Sequence, residues 1–148
     1  VPLGGVILSK AMASLYDTRP FVHGLTYFAH PLACNIANRC LDLYLDQDQK
    51  LIKDTEEKGT MLAIMGKKME QDLESVKEYR SKGLLGCIEL DIHDEKLLGE
   101  LSAKLLKRGV FCFRRVNMLF TAPPLIVKRE QLEETMDVIY DVLSTYKK

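Results

Sequence analysis

Apolar residues recur at 32, 33, 36, 37, 40, 41 and 44, the spacing of one face of a helix, and predict a helix from Pro31 to about Leu45. Proline suits its first position, where the absent N–H costs no bond. Gln47-Asp48-Gln49-Lys50 marks a break. A second long helix is predicted from about Gln49 to Arg80, with Leu51, Ile52, Met61, Leu62, Met65, Met69, Leu73 and Val76 as its apolar members. Gly59 or Gly66 could interrupt it, and Ser81-Lys82-Gly83 ends it. Its methionines read as core filler. Beyond Gly83 the pattern changes: Leu84 to Ile92 reads as a strand, and Asp94 caps a helix over 95–108 that Gly109 stops. Val110–Arg115 and Met118–Thr121 read as antiparallel strands across a turn at Val116-Asn117, broken by Pro123-Pro124. Leu132, Met136, Ile139, Tyr140 and Leu143 mark a last helix over 129–146, with Lys128 where a better N-cap would serve. At the start, Leu3–Ser9 reads as a buried strand, a short helix follows over 9–16, and 17–30 has neither period.

This order predicts three parts: residues 1–47, a connecting helical segment over 48–82, and a compact unit over 83–148 with helices against a small antiparallel sheet. The first part holds one strand with no partner for its backbone groups, so it needs more chain. A buried strand opening almost at residue 1 points the same way, to sequence upstream.

Composition narrows the function without naming it. The chain has 148 residues, 47% hydrophobic and 28% charged, with 21 basic and 21 acidic side chains and zero formal net charge. Neither a nucleic-acid partner nor a membrane is expected. The basic stretches at Lys67-Lys68 and Lys104–Arg108 read as solvated helix faces, and no apolar run reaches the roughly 20 residues of a spanning helix. The N-terminus lacks the basic start of a signal peptide. Cysteines 34, 40, 87 and 112 fit no zinc or redox spacing and read as reduced core residues of a cytoplasmic protein. The three histidines are scattered, and no metal site is expected.

Two places could carry chemistry. His23-Gly24-Leu25-Thr26-Tyr27-Phe28-Ala29-His30-Pro31 sets a glycine and a hydroxyl just before a helix N-terminus, a position suited to an anion. On spacing alone the plainer reading, a turn whose Thr26 caps local backbone, is favoured. The other place is Arg114-Arg115. Adjacent strand residues point to opposite faces, so at most one can enter a shared site, where its fork would suit a carboxylate. An edge arginine in solvent explains the pair equally well.

Val1-Pro2-Leu3-Gly4-Gly5-Val6-Ile7, HGLTYFAHPLAC at 23–34, GLLGCIEL at 83–90 and Ala122-Pro123-Pro124-Leu125, taken together, resemble the C-terminal part of a class III, ω-amino-acid type aminotransferase. The resemblance implies a fold type I enzyme using pyridoxal 5′-phosphate: an α/β cofactor domain whose tail is residues 1–47, a small α+β C-terminal domain, and a homodimer with sites at its interface. It also implies that Thr26 reaches the cofactor phosphate of the other subunit, with Gly24 and Tyr27 in the same region, and that Arg115, with Arg114 in reserve, grips the substrate carboxylate. Where the family often carries Gly before His-Pro, this chain has Ala29.

The resemblance puts the Schiff-base lysine just upstream of Val1. No catalytic residue is therefore expected within the chain, which is expected to be inactive alone, and Lys10 is no substitute. The implied reaction moves an amino group from an ω-amino acid or amine to an α-keto acid such as pyruvate. The alternatives are an aminomutase or decarboxylase on the same scaffold, or a non-enzymatic α+β binding or regulatory module.

Overall fold

A computed structural model describes residues 3–146. The chain divides into two compact units between Asp48 and Gln49. Residues 3–9 form no strand and are exposed, Ile7 completely. This differs from the buried strand expected there, because no neighbouring strand offers its N–H and C=O groups a partner. The short helix α1 (Lys10–Ser14) follows, capped by Ser9, whose hydroxyl accepts from Met12 N at 3.3 Å. A turn over residues 26–29 then leads into α2 (Pro31–Asp72).

The expected break at 47–50 is present within α2 as three consecutive left-handed residues, Gln47, Asp48 and Gln49, and there the two units divide. Before it, the expected apolar stripe is largely uncovered: Leu32, Ile36, Leu41 and Tyr44 are exposed, and only Ala33 is buried. After it, Leu62, Met69 and Leu73 are buried.

The second unit contains β1 (Val76–Lys82), β2 (Leu85–Leu90), α3 (Glu95–Lys107), β3 (Phe113–Arg115), β4 (Met118–Thr121) and α4 (Arg129–Ser144). Helix α2 ends at Asp72, eight residues before the Arg80 expected from the sequence, and 76–82 is a strand. The physical reason is a β-bulge between Val76 and Glu78. An extra residue on one strand turns an inward pair from spacing two to spacing three, so Val76 and Tyr79 both face inward while keeping a helix-like interval. Ser81-Lys82-Gly83 thus belongs to a hairpin, not to a helix end, with Gly83 at φ 55° in its turn.

The four strands form one antiparallel sheet in the order β1-β2-β4-β3. Tyr79, Ile88, Leu90 and Leu119 from the sheet share a single core with Leu98, Leu101 and Leu105 of α3 and with Leu132, Met136, Ile139 and Leu143 of α4. Asp94 caps α3 as expected, its Oδ1 accepting from Lys96 N and Leu97 N at 2.8 and 3.1 Å. At α4, whose flank Lys128 makes no side-chain cap bond to the helix, Gln131 Oε1 accepts from Lys128 N at 3.0 Å. The expected turn at Val116-Asn117 is present, with Val116 left-handed at φ 54°.

Gly59 and Gly66, read from the sequence as possible interruptions, lie within unbroken helix. They are points of close approach. A Cβ on Gly59 would stand 2.7 Å from Gly83 Cα, and one on Gly66 would stand 2.3 Å from the Tyr79 ring. The cysteines also differ from the core positions expected: Cys40 is exposed and Cys34, Cys87 and Cys112 are half-buried, all free. Each apolar run that carries them has one face outside the core.

Candidate functional site

In the first unit, the residues around Thr26 form a compact turn. Phe28 N donates to Leu25 O at 3.0 Å and His30 N to Tyr27 O at 3.3 Å. Ala29 closes it with φ at 51°, in the left-handed region where glycine is least strained. His30 then caps α2: its Nδ1 accepts from Ala33 N at 3.5 Å and its carbonyl from Cys34 N at 2.9 Å. The local sequence accounts for this geometry, since Pro31 cannot donate and forces the chain to start its helix there.

Thr26 and Tyr27 are exposed in this turn and Gly24 lies just before it, also exposed. Among the described residues, the Thr26 hydroxyl and the N–H groups of Gly24, Thr26 and Tyr27 make no hydrogen bond. The capping bond that the plainer sequence reading gave to Thr26 is therefore not formed. An unengaged hydroxyl and unengaged N–H donors thus fall within four residues of one another in the turn that precedes a helix N-terminus, where the helix dipole favours negative charge. Ring contacts link the same loop: His23 lies 5.6 Å from both Phe21 and Phe28, and Tyr27 lies 5.7 Å from His30.

In the second unit, the two arginines separate as strand geometry requires. Arg114 is opposite Leu119 and Arg115 opposite Met118 in the β3–β4 ladder. The Arg114 guanidinium is fully engaged, ion-paired to both carboxylate oxygens of Glu95 and donating to Val116 O at 2.8 Å. This holds the Glu95 carboxyl below its ordinary pKa and raises that of Arg114. Arg115 is exposed and makes no side-chain bond among the described residues.

On the same sheet face as Arg115 lie Met118 and the ring pair Phe113–Phe120, whose centroids are 5.9 Å apart. Arg80, on β1 at the opposite edge of the sheet from β3, is held by Glu78 and Glu89. Glu95 is the partner that the sequence does not reveal, since it lies 19 residues from Arg114 on another element. The Phe113–Phe120 pair could have been found from the alternation around Arg114-Arg115.

The profile of the class-III aminotransferase family matches residues 1–143. Ornithine aminotransferase 1 of Staphylococcus saprophyticus is 27% identical over 143 residues, covering 96% of this chain and 34% of that protein. Acetylornithine aminotransferase of Haemophilus ducreyi is 30% identical over 144 residues, covering 97% and 34%. Among solved structures, a taurine:2-oxoglutarate aminotransferase from Bifidobacterium kashiwanohense, in complex with PLP and glutamate, superposes with a TM-score of 0.86 at 28% identity, over 98% of this chain and 35% of that one. The chain thus spans about a third of the length of the relatives it matches.

Proposed function

This chain belongs to the class III aminotransferases, and from that premise we propose that it forms part of a pyridoxal-phosphate-dependent enzyme that moves an amino group from an ω-amino acid or amine to an α-keto acid such as pyruvate. The ornithine, acetylornithine and taurine in the names of its relatives all carry an amino group at a chain end, which supports a donor of this kind. The assembly is a homodimer in which Thr26 of one subunit serves the cofactor of the other.

The donor set of the Thr26 turn fits the phosphate of pyridoxal phosphate. Bound cofactor supplies the electron sink that amino-group transfer requires. The Thr26 hydroxyl donates to a phosphate oxygen, the missing side chain of Gly24 lets backbone approach closely, and Tyr27 flanks the site. Arg115 holds the carboxylate or sulfonate of the substrate through two charge-assisted bonds. Arg114, occupied by Glu95, keeps the strand end in place.

The observation that carries this reading is the cluster of unengaged donors around Thr26 ahead of α2. The intact dimer tests it. Thr26→Ala should weaken pyridoxal phosphate binding by roughly 10- to 100-fold, the loss of one hydrogen bond to a charged group, measured by titrating the apoenzyme. An unchanged affinity would remove Thr26 from the site.

A further inference from the structure

The outer face of the sheet, opposite the core, carries its side chains in cross-strand rows. One row runs Arg115, Met118, Glu89 and Glu78, and the next runs Phe113, Phe120, Cys87 and Arg80. Arg115 therefore stands beside Met118 on the neighbouring strand and two residues along from Phe113, whose ring centroid lies 5.9 Å from that of Phe120. Phe113 is 60% exposed, and Met118 and Phe120 are half-buried, so the surface next to Arg115 is apolar and open.

Among the described residues, the other cations of this sheet are spent or distant. Arg114 points to the opposite face and holds Glu95. Arg80 is ion-paired with Glu78 and Glu89, and its Nη2 also lies 3.7 Å from Cys87 Sγ and 3.9 Å from Met118 Sδ. Glu89 takes Lys77 as well, at 2.6 Å. Lys82, opposite Leu85 at the end of β1, is three strand spacings from Arg115, about 14 Å. One acid group thus finds a free cation here. A second would come to rest against Met118 and the two rings, where an unpaired carboxylate is disfavoured.

Resting on the role proposed for Arg115, we propose that Phe113, Met118 and Phe120 set the substrate class of this face: acids with one carboxylate or sulfonate and an uncharged body, in preference to dicarboxylates. Arg115 takes the acid group through its fork, and the body of the substrate covers the ring pair and the Met118 side chain, removing apolar surface from water. A keto acid of this class is a monocarboxylate such as pyruvate. The dicarboxylate 2-oxoglutarate is disfavoured, because its second acid group has no cation to meet.

The test compares two non-reacting acids of equal carbon number, pentanoate and glutarate, titrated by calorimetry into the intact, cofactor-loaded enzyme. Pentanoate is expected to bind about 10-fold more tightly, since the second carboxylate of glutarate loses water without gaining a partner. Phe113→Lys, at an exposed edge position, puts a second cation on the face and should move the ratio toward glutarate by roughly 2- to 5-fold, the worth of an exposed charge pair. Arg115→Ala should weaken both acids. If it leaves both affinities unchanged, the role of Arg115 falls, and the selectivity with it. If it weakens both while the unmodified enzyme binds glutarate as tightly as pentanoate, or while Phe113→Lys leaves the ratio where it was, Arg115 keeps its role and the selectivity alone is overturned. Should Phe113→Lys fail to fold, the two acids on the unmodified enzyme decide it.

Discussion

At the scale of single residues, the neighbouring arginines have different work. Arg114 spends its guanidinium on Glu95 and Val116, while Arg115 has no partner among the described residues. In the intact enzyme Arg115→Ala should raise KM by roughly 10- to 100-fold, the worth of a bond to a charged group, and leave the melting temperature unchanged. Arg114→Ala should do the reverse: lower the melting temperature slightly, since an ion pair this exposed to solvent stabilises little, with KM retained. Strand alternation separated the two arginines by face without choosing between them, and only the family resemblance put Arg115 ahead of Arg114. The choice depends on Glu95, whose proximity only the packing of α3 against the sheet creates. Ala29 offers a second test. Its left-handed φ of 51° strains an L-residue by about 1 kcal/mol or more, so Ala29→Gly should raise the stability of the turn, read as slower amide exchange at Phe28 and His30.

At the scale of elements, α2 lies close to the β1–β2 hairpin through two glycines, and the cost of filling them follows from what they touch. Gly66→Ala puts a methyl group into the ring of Tyr79, which is 1% exposed and cannot swing away. A loss of about 1–3 kcal/mol is expected, as for other overpacked cores, measured by denaturant unfolding. Glu70, on the same helix, binds across to β1. Its carboxylate accepts from Lys67 Nζ at 2.7 Å and from Tyr79 N at 2.6 Å, and these bonds lower its pKa. A carboxyl whose folded pKa is depressed adds stability that is present above its unfolded pKa of about 4.3 and is lost as pH falls through the folded value. Glu70→Gln should therefore destabilise at pH 7 and lose that difference in acid, followed by thermal unfolding across pH.

These elements also explain where the sequence misled. Helices α3 and α4 and the β3–β4 hairpin were legible because cap, stripe and turn residues agreed. Strand β1 was not, because a bulge gives Val76 and Tyr79 a helical interval, and VKEYRSK has the charged composition of a solvated helix. The two glycines were misread for a related reason: a missing side chain signals either a break or a close approach, and only the neighbour decides which.

At the scale of the whole molecule, the two units differ in what they bury. The second has a continuous core from α2 to α4. The first leaves Val6, Ile7, Leu32 and Leu41 exposed, and apolar surface on that scale ordinarily meets a partner. The chain alone should self-associate in sedimentation, with fast amide exchange through residues 3–30 and slow exchange in β2 and β4. The family was legible because four motif blocks stood in order, whereas the proposed reaction needs groups that these blocks do not contain. The most direct test is a half-reaction of the intact, cofactor-loaded enzyme, following the visible absorption of pyridoxal phosphate. An ω-amino acid added alone should bleach that band in a single turnover, and pyruvate added next should restore it with release of alanine. A band that the amine leaves unchanged, or that recovers without any keto acid, would contradict amino-group transfer as the activity of this protein.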